Sequence, residues 1–230
     1  MREIVFDTET TGFNYSGGDR IVELGCVELV NHTPTGKVWQ TYLDPEREVP
    51  EDSFRVHGLS TQFLAGKPKF SEIADEFLGF IGDAKIVAHN AKFDFDFVNF
   101  ELERAGRAAL EWERIVDTLS LSRVKNPQFG SHSLDALCKR YEINNSHRDL
   151  HGALLDARLT AEVYIELLGG KEVDFFISSD EGPKEDLVAA VEKKNRPYRP
   201  SRAYRVSDIE MVAHSEFIKS LGEHAIWAKL

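Results

Sequence analysis

The hydrophobic period of this chain changes after Pro68, and that change limits the folds open to it. Upstream of Pro68, the stretches EIVFD (3–7), RIVELGCVEL (20–29) and KVWQTYL (37–43) are rich in β-branched and aromatic residues. Gly17-Gly18 and Pro34/Gly36 punctuate them, which predicts three strands in an antiparallel meander. Downstream, Phe70, Ile73, Ala74, Phe77 and Phe80 recur every three or four residues, the spacing of a helix that buries one face. KIVAHN (85–90) then reads as a short strand, Phe93, Phe97 and Phe100 as one side of a helix, and RIVDTL (114–119) as another strand. SLDALCKRY (133–141) and ALLDARLTAEVYIELL (153–168) have helical periodicity. A meander followed by alternating helices and strands predicts an α/β fold with a central sheet flanked by helices.

The chain has 230 residues, enough for one main domain and an appendage. Its hydrophobic fraction of 42% is sufficient for a core and excludes global disorder. No uninterrupted apolar run approaches membrane length, and the acidic start MREIVFD is unlike a secretory leader, so a cytoplasmic protein is expected. Cys26 and Cys138 lie far apart in apolar surroundings, which suits reduced core thiols and argues against a disulfide or structural zinc.

Charge divides the chain. The whole carries −11, but Pro183–Leu230 holds nine Lys+Arg against seven Asp+Glu, which leaves −13 on residues 1 to 182. Such a body is a poor duplex binder by itself, because phosphate neutralisation by Lys and Arg dominates DNA affinity. KKNRPYRPSRAYR (193–205) has six basic residues, two prolines and no acid, the composition of a basic linker. Ser207 with Glu210 three residues later forms a capping box, predicting a helix with Ile209, Val212, Ala213, Phe217 and Leu221 on one face and Gly222 to end it.

The acids that carry chemistry stand in three places. Asp7 and Glu9 are two residues apart at the end of an apolar strand, so alternation sends both to one face. An exposed edge strand would tolerate them, but the polar turn Thr10-Thr11-Gly12 that follows would bring N–H groups and hydroxyls near a ligand phosphate. Asp94 and Asp96 open the Phe-rich helix, where acids commonly complement the helix dipole, and spacing leaves open which of them has another task. Asp156 sits among Leu154, Leu155 and Ala157, an expensive position for a carboxylate unless it is paired or metal-bound. His151 is five residues earlier, which is not the same helical face, so both can reach one site only if His151 lies in the preceding loop.

FDTETTG (6–12), HNAKFD (89–94) and HGALLDA (151–157), in this order, resemble the three motifs of the histidine branch of the DEDD exonuclease family. The resemblance runs from residue 2 to about 168 and includes VHGL (56–59) and HSLDALCKRY (132–141). It implies a ribonuclease H-like α/β exonuclease fold and 3′→5′ hydrolysis of nucleic acid. It also implies that Asp7, Glu9, Asp94 and Asp156 hold two divalent cations, Mg2+ or Mn2+, with His151 as general base. The motif's acid falls on Asp94, which leaves Asp96 as the dipole partner. By the same resemblance, Thr10, Val56, His57 and Phe93 hold the terminal nucleotide.

RVSDIEMVAHSEF and the ending AIWAKL are similar to the tails of proofreading exonucleases that accompany bacterial replicative polymerases. That likeness implies a DNA 3′ terminus as substrate and the polymerase catalytic subunit as partner of the tail, with Phe217, Leu221 and Trp227 as contacts. Relatives carry a sliding-clamp motif after the position of Gly169-Gly170; here KEVDFF (171–176) keeps the aromatic pair but departs from that motif at Lys171 and Asp174. The expected layout is an exonuclease domain over 1–170, a linker over 171–205 and a polymerase-binding tail over 206–230. A free-standing exonuclease trimming RNA or single-stranded DNA ends is the alternative within enzymes. A catalytically silent scaffold is the alternative outside them, and its signature, a lost carboxylate, is absent.

Overall fold

The computed structural model describes residues 1–145, 150–170 and 206–220. These fall in two units, Met1–Ile177 and Ser178–Leu230. The first is built on a mixed five-stranded sheet of order β3-β2-β1-β4-β5. Strands β1 (Arg2–Thr10), β2 (Ile21–Val30) and β3 (Thr33–Tyr42) form the antiparallel meander, while β4 (Lys85–Ala88) and β5 (Ile115–Asp117) run parallel to β1. The helices are α1 (Glu51–His57), α2 (Thr61–Leu64), α3 (Phe70–Ile81), α4 (Lys92–Arg104), α5 (Thr118–Lys125), α6 (Leu134–Arg140), α7 (Ala153–Leu167) and, in the second unit, α8 (Asp208–Ser220). No described helix is long and apolar enough to cross a membrane.

Strand alternation sorts the core into two layers. Ile4 and Phe6 of β1, with Leu24 and Cys26 of β2, pack against Phe70, Ile73, Ala74 and Phe77 of α3 and Phe97 and Val98 of α4. Val5, Val27 and Leu29 point the other way, against Ala157, Ala161 and Tyr164 of α7. Each fully buried side chain of this size stabilises the fold by about 1.5–3 kcal/mol. Both cysteines are buried in the core, as expected of core thiols. The approach of α7 to β2 is fixed by a missing side chain: a Cβ on Gly25 would stand 2.2 Å from the Leu154 nitrogen.

Local chemistry differs from the sequence pattern at three points. The β2–β3 turn is made by Asn31 and His32, both at positive φ, and β3 runs through Pro34 and Gly36 instead of breaking there. Proline is tolerated because β3 is the sheet edge, where a ladder donor is dispensable. RIVDTL yields only three residues of strand, since the Asp117 side chain accepts from the Leu119 N–H and starts α5 at Thr118. Phe80 is half-buried under Arg2, and Ile81 takes the core position at the end of α3.

In the second unit, Ser207 and Glu210 cap α8 reciprocally, the Ser207 N–H donating to Glu210 at 2.9 Å and the Glu210 N–H to Ser207 Oγ at 3.3 Å. Ile209, Met211, Val212 and Phe217 of α8 are exposed. The linker, the clamp-like segment, Leu221, Gly222 and Trp227 lie outside the described residues.

Candidate active site

Alternation along β1 assigns the acids to helices. Asp7 and Glu9 share the side of Val5, the α7 side, whereas Thr8 shares the side of Ile4 and Phe6, toward α4. The parallel ladder between β1 and β4 ends at Val5 opposite Val87, so the Thr8 N–H lies beyond the end of β4 pairing. Asp94 in the first turn of α4 takes it up: Oδ1 accepts from Thr8 N at 3.0 Å and from Thr8 Oγ1 at 2.7 Å. Asp96 instead pairs with Lys92 at 2.7 Å on the solvent side of the helix. Asp156 is in the first turn of α7, and its Oδ2 lies 3.0 Å from Nδ1 of His151. His151 precedes α7, as the spacing required, and its N–H donates to the Val56 carbonyl at the end of α1.

These side chains meet in a cleft of about 400 Å³ lined by Asp7, Glu9, Asp94, Asp156, His89 and His151 among others, with no lysine or arginine in the lining among the described residues. Donor atoms of Glu9, His151 and Asp156 all lie within 4.8 Å of one another. Asp94 is 3% exposed, and burial pushes its carboxyl up to about 7 against the holding effect of the two Thr8 donors, with Asp117 adding repulsion. Elsewhere the fold pairs its buried acids. Glu101 takes Arg20 at 2.5 Å, and Glu3 takes the Tyr164 hydroxyl at 2.8 Å.

A second hollow of about 270 Å³ shares Thr8, Glu9, Phe13 and Phe93 with the cleft and adds Thr10, Val56 and His57. His57 is buried, which lowers its pKa, and Nδ1 accepts from the Leu59 N–H at 3.0 Å, so a neutral ring carries its proton on Nε2. The structure therefore brings together all nine body residues singled out in the sequence. The turn after the acids is partly different from expectation. Thr11 is buried, its N–H donates to the Arg20 carbonyl and its hydroxyl to Asp19, so it serves the fold and faces no ligand. A Cβ on Gly12 would meet Asp19 Oδ2 at 2.3 Å, which explains glycine there.

Four residues had escaped sequence reasoning. Phe13 is 90% exposed beside Phe93, their ring centroids 6.1 Å apart, at the mouth of both hollows. Asp117 accepts from the N–H groups of Asn90 and Ala91, holding the β4–α4 junction that delivers Asp94. His89, fixed by Thr118 Oγ1 at 2.9 Å, lines the cleft. Glu23 accepts from the Ala153 N–H and so anchors the start of α7. An acid ending a strand and an aromatic after a Thr-Thr-Gly turn were the available signals for Asp117 and Phe13. Nothing local marked Glu23.

Residues 4–164 match the family model described as Exonuclease. The chain is 43% identical over 224 residues to DNA polymerase III subunit epsilon of Rickettsia felis, covering 96% of this chain and 97% of the relative. It is 40% identical over 236 residues to the protein of that name from Escherichia coli strain K12, covering 98% and 97%. Among solved structures, an exonuclease X in complex with 5′ overhanging duplex DNA is 27% identical with a TM-score of 0.55, over 73% of this chain and 90% of that one. A moderately thermophilic exonuclease I from Methylocaldum szegediense shares the fold at 19% identity and TM-score 0.63, over 74% of this chain and 41% of that longer one.

Proposed function

This chain belongs to the exonuclease family, among the DNA polymerase III epsilon subunits, and from that premise we propose that it removes mispaired 3′-terminal nucleotides from DNA as nucleoside 5′-monophosphates. The observation that carries the reading is the convergence of Asp7, Glu9, Asp94 and Asp156 from three elements into one cleft beside His151. An all-oxygen carboxylate set suits hard divalent cations, and Mg2+ or Mn2+ fits this cluster. Asp7, Glu9, Asp94 and Asp156 would hold them, Asp94 through the oxygen that Thr8 leaves unengaged. When bound, two such ions neutralise the acids and polarise the scissile phosphodiester.

The residues of the chain supply the rest. Thr10, Val56, His57 and Phe93 form the hollow for the terminal nucleoside, with Phe93 and Phe13 as ring surfaces against which a base can stack. His151 accepts the proton of the attacking water as the new P–O bond forms, and the bond to the 3′-oxygen of the penultimate nucleotide breaks. The freed 3′-oxygen takes a proton from solvent. A mispaired end is cheaper to separate from its template, so selectivity follows from unpairing cost without base-specific contacts.

The acidic body requires delivery of the strand by a partner. The proposed layout is an exonuclease domain over 1–170, a linker over 171–205 and a tail over 206–230 that docks on the polymerase III catalytic (alpha) subunit, in the cytoplasm. The exposed apolar side chains of α8, Phe217 among them, support that docking, with Leu221 and Trp227 beyond. Residues 171–176 offer Phe175 and Phe176 to the sliding clamp. The test is digestion of paired and mispaired DNA primers and matching RNA. Faster release from mispaired DNA is expected, and preference for RNA would favour a free-standing trimming enzyme.

A further inference from the structure

A third groove opens from the catalytic cleft. It measures about 640 Å³, and it shares His89, Asn90, Leu134 and His151 with the cleft, whereas the hollow for the terminal nucleoside adjoins the cleft through Thr8, Glu9, Phe13 and Phe93. The three spaces therefore lie in series, with the carboxylates in the middle. If a terminal nucleoside fills the first and its phosphate meets the carboxylates, the strand on the 5′ side of the scissile bond must leave by another opening.

The walls of the third groove differ from the rest of this acidic body. Arg123 of α5 is exposed there and has no hydrogen bond or ion pair with any described residue. Five other arginines of the body are engaged: Arg2 with Glu28, Arg20 with Glu101, Arg47 with Asp19, Arg107 with Asp75 and Arg114 with backbone carbonyls. Ser131 and Ser133 add hydroxyls, and His132 is fixed by Ser122 Oγ at 2.8 Å. One acid, Asp135, also lines the groove, and its Oδ1 accepts from Asn145 at 3.3 Å. A guanidinium left uncommitted beside the cleft, on a body of −13, is suited to an anion brought by the substrate.

We propose that this groove carries the strand upstream of the scissile bond, with Arg123 contacting a phosphodiester that is not cleaved. The inference rests on the exonuclease reading above and adds to it a positioning residue and the direction in which the strand runs. A competing exit lies on the other side of His151, where a groove of about 420 Å³ contains Arg158. It shares only His151 and no other residue with the catalytic cleft, and it also holds the buried acid Glu23, so it is the poorer path for phosphate.

Substrate length separates the possibilities. Two nucleosides joined by one phosphodiester present only the scissile phosphate, while longer strands also reach Arg123. In the full chain, Arg123→Ala should leave kcat/KM on the dinucleotide unchanged and lower it on single-stranded octanucleotides about three- to tenfold, through KM. The slope of log(kcat/KM) against log[salt] on the octanucleotide should flatten by about 0.7, one phosphate contact on a single strand. Arg123→Lys should recover most of the loss, because the charge is retained. Equal loss at every length would make Arg123 structural and overturn the proposal, as would length-dependent loss in Arg158→Ala and not in Arg123→Ala. Inactivity of the unaltered protein on every length would overturn the exonuclease reading itself, and with it this inference.

Discussion

Replacing Asp94 by asparagine should make the metal-free protein more stable, by an amount that depends on pH. The carboxyl is 3% exposed, and burial pushes its pKa from 3.8 up to about 7. Below the lower value the side chain is protonated in folded and unfolded chains alike, and the substitution changes little. Between the two values the folded protein keeps a proton that the unfolded chain has released, so stability falls as pH rises, and above about 7 the whole cost of the buried anion is present. That cost is at most about 4 kcal/mol at 1.36 kcal/mol per tenfold change in proton affinity. Asparagine keeps an oxygen for the two Thr8 donors but brings an amide that must find acceptors in the cleft, so the net gain is on the order of 1–3 kcal/mol. For a chain of this size each kcal/mol raises the melting temperature by about 2–4 °C. Thermal melts with chelator at about pH 8 and about pH 4, alongside a nuclease assay, read both consequences. An Asp94→Asn protein that melts below its parent at the higher pH, or shifts equally at both, refutes the reasoning. Retained nuclease activity removes Asp94 from the site.

His151→Ala should slow hydrolysis about 10²–10⁴-fold. Calorimetry should find Mn2+ affinity largely preserved, and its collapse would make His151 a ligand. Gly25→Ala forces α7 away from β2, because the new Cβ would stand 2.2 Å from the Leu154 nitrogen. A loss of about 1–3 kcal/mol in urea denaturation, with impaired nuclease activity from displaced Asp156, is expected, and unchanged behaviour would contradict the close approach. Truncation before Pro183 should leave mononucleotide release from short single strands nearly unchanged and abolish co-purification with the polymerase. Trp227→Ala should weaken that complex by about 2 kcal/mol or more. Full affinity after truncation would move the interface to residues 1–182.

The β-branched and aromatic stretches made the meander legible, and the two-residue spacing of Asp7 and Glu9 made their shared face legible, because strand propensity and side-chain alternation are written locally. Asp94 and Asp96 were not separable by spacing, since both fit a first helical turn. Their difference depends on where β4 pairing stops, which leaves the Thr8 N–H for Asp94, and that is a long-range fact. The β2–β3 turn was misread for a related reason: Pro34 normally ends a strand, and only its place on a sheet edge lets β3 continue. Helices α1, α2 and α5 carry no apolar stripe to read, since they bury only His57, only Leu64, and only Thr118 and Ser122, whereas the equally short α6 buries Leu134, Leu137 and Cys138 at helical spacing. Glu23 was invisible because its partner, the Ala153 N–H, is 130 residues away.

The central claim, that four carboxylates and one histidine form a single cation-dependent site for cutting the last phosphodiester, is tested most directly by following a 3′-labelled single strand with and without magnesium. The account predicts release of labelled nucleoside 5′-monophosphate only with the metal, and none from Asp7→Asn, Glu9→Gln, Asp94→Asn or Asp156→Asn. Label released at the same rate in chelator, or as a nucleoside 3′-monophosphate, would contradict it.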